Sequence, residues 1–118
     1  MQKILIADDD PRMRTIIREV IAELASEIFE AADGAEAMAI YATQRPDWVL
    51  MDWRMKPLDG FRATALITAR FPDARIVIVS QFDEPEVRAA AARVGACAFV
   101  SKDDLPQLLV TLQSVQRW

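Results

Sequence analysis

The side chains in this sequence equipped for chemistry are few in kind. Histidine is absent, which excludes a Ser-His-Asp triad, an imidazole general base and imidazole metal ligands together. The one cysteine, Cys97, has no partner for an internal disulfide and reads as a small buried apolar residue, so nothing points to an oxidising compartment. Carboxylates, hydroxyls and lysine remain. Asp52 closes the apolar run Trp48-Val49-Leu50-Met51, and Asp8-Asp9-Asp10 follows Lys3-Ile4-Leu5-Ile6-Ala7. Ser80 ends the β-branched run Ile76-Val77-Ile78-Val79, and Lys102 follows Phe99-Val100-Ser101. Each alone has an ordinary explanation as helix cap, turn former, turn hydroxyl or solvated lysine.

The elements that carry these residues repeat one unit. Trp48 to Met51 is apolar at every position and too short for a helix, which predicts a strand buried on both faces of a parallel sheet. Asp10-Pro11 reads as an N-cap with proline at the first helical position. The stripe Met13, Ile16, Ile17, Val20, Ile21, Leu24 then marks an amphipathic helix. Glu27 to Ala32 alternates as an edge strand does. The turn Asp33-Gly34 leads into a helix over Ala35 to Gln44 with Met38, Tyr41 and Ala42 as its apolar face, ended by Arg45-Pro46. A third strand spans Asp47 to Asp52, and Gly60 opens a helix from Phe61 to Arg70.

Ala74 to Val79 predicts a central strand. Glu84-Pro85 starts a helix with Val87, Ala90, Ala91 and Val94 on one face and Gly95 at its C′ position. Cys97 to Val100 predicts a short fifth strand. Asp103 or Asp104 is expected to cap a last helix with Leu105, Leu108, Leu109, Leu112 and Val115 on one face. Five strand-then-helix units imply one domain over residues 1–118: a three-layer, doubly wound, flavodoxin-like α/β fold with a five-stranded parallel sheet in the order 2-1-3-4-5.

That topology carries the strand ends to one edge, and ligands of open α/β sheets bind beyond the carboxyl ends of the strands. Three carboxylates then converge, and two unit charges 4 Å apart repel by roughly 4 kcal/mol at an effective dielectric near 20. Such a cluster needs counter-charge. Lys102 supplies one, and an oxygen-only donor set suits a hard cation, Mg²⁺ best of all. A divalent cation beside a strand-end carboxylate suits phosphoryl transfer onto that carboxylate, with Ser80 and Lys102 placed to meet phosphoryl oxygens.

On these residues the chain resembles the receiver domains of two-component response regulators. The resemblance rests on Ile4 to Asp10, on Asp52 with Met55, Leu58, Asp59 and Gly60, on Ile78-Val79-Ser80, and on Phe99 to Lys102. It implies that Asp52 is the phosphoacceptor, that Asp8 and Asp9 organise Mg²⁺, and that the backbone carbonyl of Arg54 completes the metal shell. It further implies that Ser80 is the switch hydroxyl, Phe99 the switch aromatic and Lys102 the phosphate-pairing lysine. The implied protein is a regulatory switch and not an enzyme. Its partners would be a separate histidine kinase or histidine phosphotransfer protein and a downstream output domain or protein, with a homodimer allowed on activation. The face of the fourth helix, fifth strand and fifth helix would change on phosphorylation.

The chain departs from the family pattern at three places. Lys56 stands where proline usually follows the loop methionine, Gln81 where a small residue is usual beside the switch hydroxyl, and Asp103 where proline often follows the lysine. A receiver-like binding module without phosphorylation is the alternative reading. An aspartyl-phosphate phosphatase is disfavoured, because Arg54 occupies the place of its second carboxylate. A net charge of −4 removes a broad electrostatic case for nucleic-acid binding by this domain. No apolar run approaches the roughly 20 residues of a membrane span, so a cytoplasmic location is expected.

Overall fold

A computed structural model describes residues 2–115 of the chain, with side chains as far as residue 113. Strands and helices alternate throughout: β1 (Gln2–Ala7), α1 (Pro11–Ile21), β2 (Ala25–Ala31), α2 (Gly34–Gln44), β3 (Trp48–Asp52), α3 (Gly60–Arg70), β4 (Ile76–Ser80), α4 (Pro85–Arg93), β5 (Ala98–Ser101) and α5 (Gln107–Val115). The sheet has the order β2-β1-β3-β4-β5 and every pairing is parallel. The architecture expected from the alternating apolar runs is the one found.

Strand alternation divides the core into two layers. Ile4, Ile6, Trp48, Leu50, Val77, Val79 and Val100 meet α1 and α5 through Ile17, Ile21, Leu108 and Leu112. Leu5, Ala7, Val49, Met51, Ile76 and Ile78 meet α2, α3 and α4 through Ala37, Tyr41, Ala63, Ile67 and Ala91. All five residues of β3 and all five of β4 are buried, as befits the inner strands of a sheet covered on both sides. Among the described residues no helix is long and apolar enough to cross a membrane.

Local chemistry corrects several expected boundaries. The first helix ends at Ile21 rather than reaching Leu24, because β2 begins at Ala25 instead of Glu27 and the chain must turn between them. Ile16 belongs to the periodic stripe but is 43% exposed, since the contact with the sheet is made by Ile17 and Ile21. In α2 the buried face is Gly34, Ala37 and Tyr41, with Ala42 exposed. The strands expected from Asp47 and Ala74 start at Trp48 and Ile76.

Neither Asp103 nor Asp104 caps the last helix. Ser101 Oγ accepts from the Asp103 amide to cap a 3₁₀ turn over Lys102–Asp104, and α5 starts only after Pro106. Leu108 and Leu112 are fully buried, whereas the side chain of Val115 lies outside the described residues. Cys97, expected in the core, is exposed because it precedes β5 at the sheet margin. The Lys56–Pro57 peptide bond is cis.

Candidate functional site

Asp8 directly follows β1 and Asp52 is the last residue of β3. These strands are neighbours, and Ala7 pairs with Met51, so the two carboxylates leave the sheet level with each other across one interstrand gap. Asp8, Asp9 and Asp52 each offer a carboxylate oxygen within 4.8 Å of the others. Asp8 and Asp52 are buried, 1% and 7% exposed, while Asp9 faces solvent.

Lys102 answers that charge from the far side of the sheet. It follows β5, whose Ser101 pairs with Ser80 of β4, so its stem passes the end of β4 to reach β3. Its Nζ lies 2.9 Å from Asp8 Oδ2 and 3.2 Å from Asp52 Oδ1. Burial and the neighbouring Asp8 carboxylate push the Asp52 carboxyl up to about 6, against the opposing pull of Lys102. For Lys102, burial is outweighed by the hydrogen bond and charge of Asp8 together with the charge of Asp52, and its pKa is raised. The result is a site with excess negative charge and one shielded cation.

Each polar atom of Asp8 has a partner. Its amide donates to Ala31 O at 3.0 Å, and its Oδ1 accepts from the Asp10 amide at 2.9 Å. Its Oδ2 faces Lys102, and its carbonyl accepts from Arg14 Nη1 at 2.6 Å. Asp52 is backed by Gly60, whose amide donates to Trp53 O at 2.8 Å. A Cβ at Gly60 would fall 1.9 Å from the Asp52 carbonyl oxygen, so only glycine lets α3 start this close to the strand end.

A cleft of about 290 Å³ opens over the carboxylates, lined by Asp8, Asp9, Asp10, Asp52, Arg54, Gln81, Phe82 and Lys102. The Arg54 guanidinium lies 4.2 Å from the Phe82 ring centroid and 5.0 Å from that of Trp53. Trp53 stacks on Phe61 at 5.1 Å and meets Phe82 edge-on at 5.6 Å, so it packs within the loops at the rim.

Of the residues singled out from sequence, Asp8, Asp9, Asp52 and Lys102 come together directly. Ser80 is 1% exposed at the end of β4, where its Oγ accepts from the Phe82 amide at 3.0 Å. Phe99 stands apart from the cleft, half-buried against the α4 side of the core with the Arg88 guanidinium 4.6 Å from its ring centroid. Arg14 and Phe82 were not anticipated. Arg14 could have been noticed as a charged residue one helical turn beyond the Asp10 cap, on the side facing the acidic loop. Phe82 could have been noticed as a lone aromatic two residues beyond a strand-end hydroxyl.

The family model for the response regulator receiver domain matches residues 4–113. The transcriptional regulatory protein YhcZ of Bacillus subtilis, itself uncharacterised, is 35% identical over 115 residues, covering 96% of this chain and 54% of that protein. The chain thus spans about half the length of this relative. A crystal structure of a LuxR-family two-component response regulator from an Aurantimonas species superimposes with a TM-score of 0.90 at 29% identity, over 98% of this chain and 84% of that one. The CheX–CheY–BeF₃–Mg²⁺ complex from Borrelia burgdorferi matches with a TM-score of 0.89 at 26% identity, over 96% of this chain and 87% of that one. With the receiver fold complete from β1 into α5 and the acidic cluster at its strand ends, the chain belongs to the response regulator receiver domain family of two-component signalling.

Proposed function

We propose that this chain is a phosphorylation-operated switch in which Asp52 accepts a phosphoryl group from a partner histidine kinase or histidine phosphotransfer protein. The observation that carries the reading is the meeting of Asp8, Asp9 and Asp52 within 4.8 Å beside a lysine that touches two of them. In the transfer, an Asp52 carboxylate oxygen forms a bond to phosphorus as the bond from phosphorus to the donor imidazole nitrogen breaks. The electron pair of that bond stays on the nitrogen. No histidine of this chain can serve as donor.

The donor set fits a hard divalent cation: three carboxylates, no thiolate and no imidazole. Asp8, Asp9, Asp52 and the Arg54 backbone carbonyl would hold Mg²⁺. When bound, that ion supplies neutralisation of the charge gathered on carboxylate and phosphoryl oxygens. BeF₃ and Mg²⁺ in the Borrelia burgdorferi complex support the same ligand class here.

Phosphorylation replaces the single carboxylate charge of Asp52 with a phosphoryl group carrying roughly −1.5 to −2. Lys102, already 3.2 Å from Asp52 Oδ1, then pairs with a phosphoryl oxygen. Ser80 Oγ exchanges its contact with the Phe82 amide for another phosphoryl oxygen, which draws in the loop after β4. Phe99 turns inward, and the α4, β5 and α5 face is remodelled for an output domain, an output protein or a second copy. The domain acts as a regulator in the cytoplasm.

Incubating the wild type with acetyl phosphate and Mg²⁺ is expected to add one phosphoryl group, read as a mass increase on the peptide containing Asp52. Asp52→Asn is expected to remain unlabelled. Labelling that persists in Asp52→Asn rejects Asp52 as the acceptor, and an unlabelled wild type rejects the switch.

A further inference from the structure

Asp8 is gripped from behind by a residue that never enters the cleft. Arg14 lies on α1 four residues beyond the Asp10 cap, to whose carbonyl its amide donates at 3.1 Å. Helical side chains lean toward the N-terminus of their helix, which aims this guanidinium at the acidic loop. Its Nη1 donates to Asp8 O at 2.6 Å and its Nε to Glu30 Oε1 at 2.9 Å. Glu30, on the edge strand β2, is fixed in turn by Arg18, whose Nη2 and Nε donate to Oε2 at 2.7 and 3.1 Å. The two guanidinium groups hold the Glu30 carboxyl below the usual carboxylate range, Arg18 contributing most and burial opposing. A planar fork can serve a carbonyl and a carboxylate at once, which a lysine ammonium on a flexible stem does not reproduce.

This bridge is a poor source of stability. Glu30 and Arg18 side chains are 34% and 44% exposed and Arg14 18%, and ion pairs this open to water contribute little to folding. Its geometric effect is larger. The Asp8 backbone is pinned by Ala31 on one side and Arg14 on the other, so the direction of the Asp8 carboxylate is set before any ion arrives.

We propose that Arg14 is a positioning residue for the cation site, acting through the Asp8 carbonyl and anchored by Glu30, so that Mg²⁺ affinity depends on the Arg14–Glu30 bridge. The inference rests on the reading of Asp8, Asp9 and Asp52 as Mg²⁺ ligands. It also carries a sign that a charge effect does not. Arg14→Gln removes positive charge from beside three carboxylates, which by electrostatics alone strengthens cation binding. Loss of positioning weakens it.

The test is Mg²⁺ titration of tryptophan emission, with Trp53 at the cleft rim, on the wild type, Arg14→Gln, Arg14→Lys, Glu30→Gln and the Arg14→Lys/Glu30→Gln pair. Thermal melts without metal establish that each variant is folded. Partners that orient a ligand typically affect metal affinity 10–100-fold. Both Arg14 variants are expected to weaken Mg²⁺ binding about tenfold, Glu30→Gln less, and the double variant no more than Arg14→Lys alone. Tighter binding by Arg14→Gln, unchanged binding by Arg14→Lys, or additive effects in the pair overturns the inference while leaving the switch intact. If the Arg14 variants do not fold, Arg18→Gln decides the matter, because it frees Glu30 Oε2 while removing a positive charge: weaker binding supports the bridge, and unchanged or tighter binding overturns it. A wild type that fails to bind Mg²⁺ removes the metal-site reading itself, and the inference with it.

Discussion

Lys102 Nζ lies 2.9 Å from Asp8 Oδ2, and both side chains are nearly shielded from water. In the metal-free protein this lysine does what a cation in the cleft would otherwise do. Lys102→Ala is therefore expected to destabilise the metal-free protein by about 3 kcal/mol, the cost of leaving partly buried carboxylates without a partner. Mg²⁺ should restore much of that loss. Denaturant midpoints measured with EDTA and with saturating Mg²⁺ should show a larger metal-induced gain in Lys102→Ala than in the wild type. Equal gains would show that lysine and metal do not compete for the same carboxylates.

Asp52 gives the metal-free protein a definite response to pH. Burial and Asp8 raise its carboxyl from 3.8 to about 6, so between those values the folded state holds a proton that the unfolded state releases. Stability therefore falls as pH rises through that window, by up to about 3 kcal/mol at pH 7. Asp52→Asn removes this cost. In EDTA the variant should be more stable than the wild type at pH 7, with the excess shrinking toward zero below about pH 4. A stability difference that does not change with pH contradicts the origin assigned to it.

Gly60 permits the approach of α3 to the end of β3. A methyl group there meets backbone, at 1.9 Å from Asp52 O and 2.8 Å from Asp52 C, and neither atom can step aside without moving the acceptor. Gly60→Ala is expected to cost more than about 2 kcal/mol, in the range of an overpacked core, and to reduce labelling by acetyl phosphate in the fraction that remains folded. Chemical denaturation and mass spectrometry measure the two effects separately. A variant with wild-type stability would mean that the loop tolerates the extra atom.

The sequence made the sheet legible because its inner strands are apolar at every position and its helices are opened by Asp10-Pro11 and Asp33-Gly34. The order of strands fitted the alternating, half-wet character of the second one, which suits an edge. Asp8, Asp52 and Lys102 could be matched because a parallel sheet delivers strand ends to one edge whatever their separation along the chain. What stayed hidden depends on contacts that periodicity does not encode. Ile16 and Ala42 are as apolar as their neighbours, yet a small rotation of each helix turns them to solvent. Pro106 delayed α5 beyond the aspartates that resembled its cap. Arg14 and Glu30 lie on separate elements, and only the packing of α1 beside β2 reveals their pairing.

The dependence of the acidic edge on β5 has a consequence for how the molecule is made. Asp8, Asp9 and Asp52 are synthesised long before Lys102, so a nascent chain that has assembled its first four strands crowds three like charges without the lysine that touches two of them. Completing the sheet and balancing its charge become a single event, which ties correct docking of the fifth strand to a substantial electrostatic reward. A growing chain can settle early by keeping a proton on Asp52 or by borrowing an ion from its surroundings.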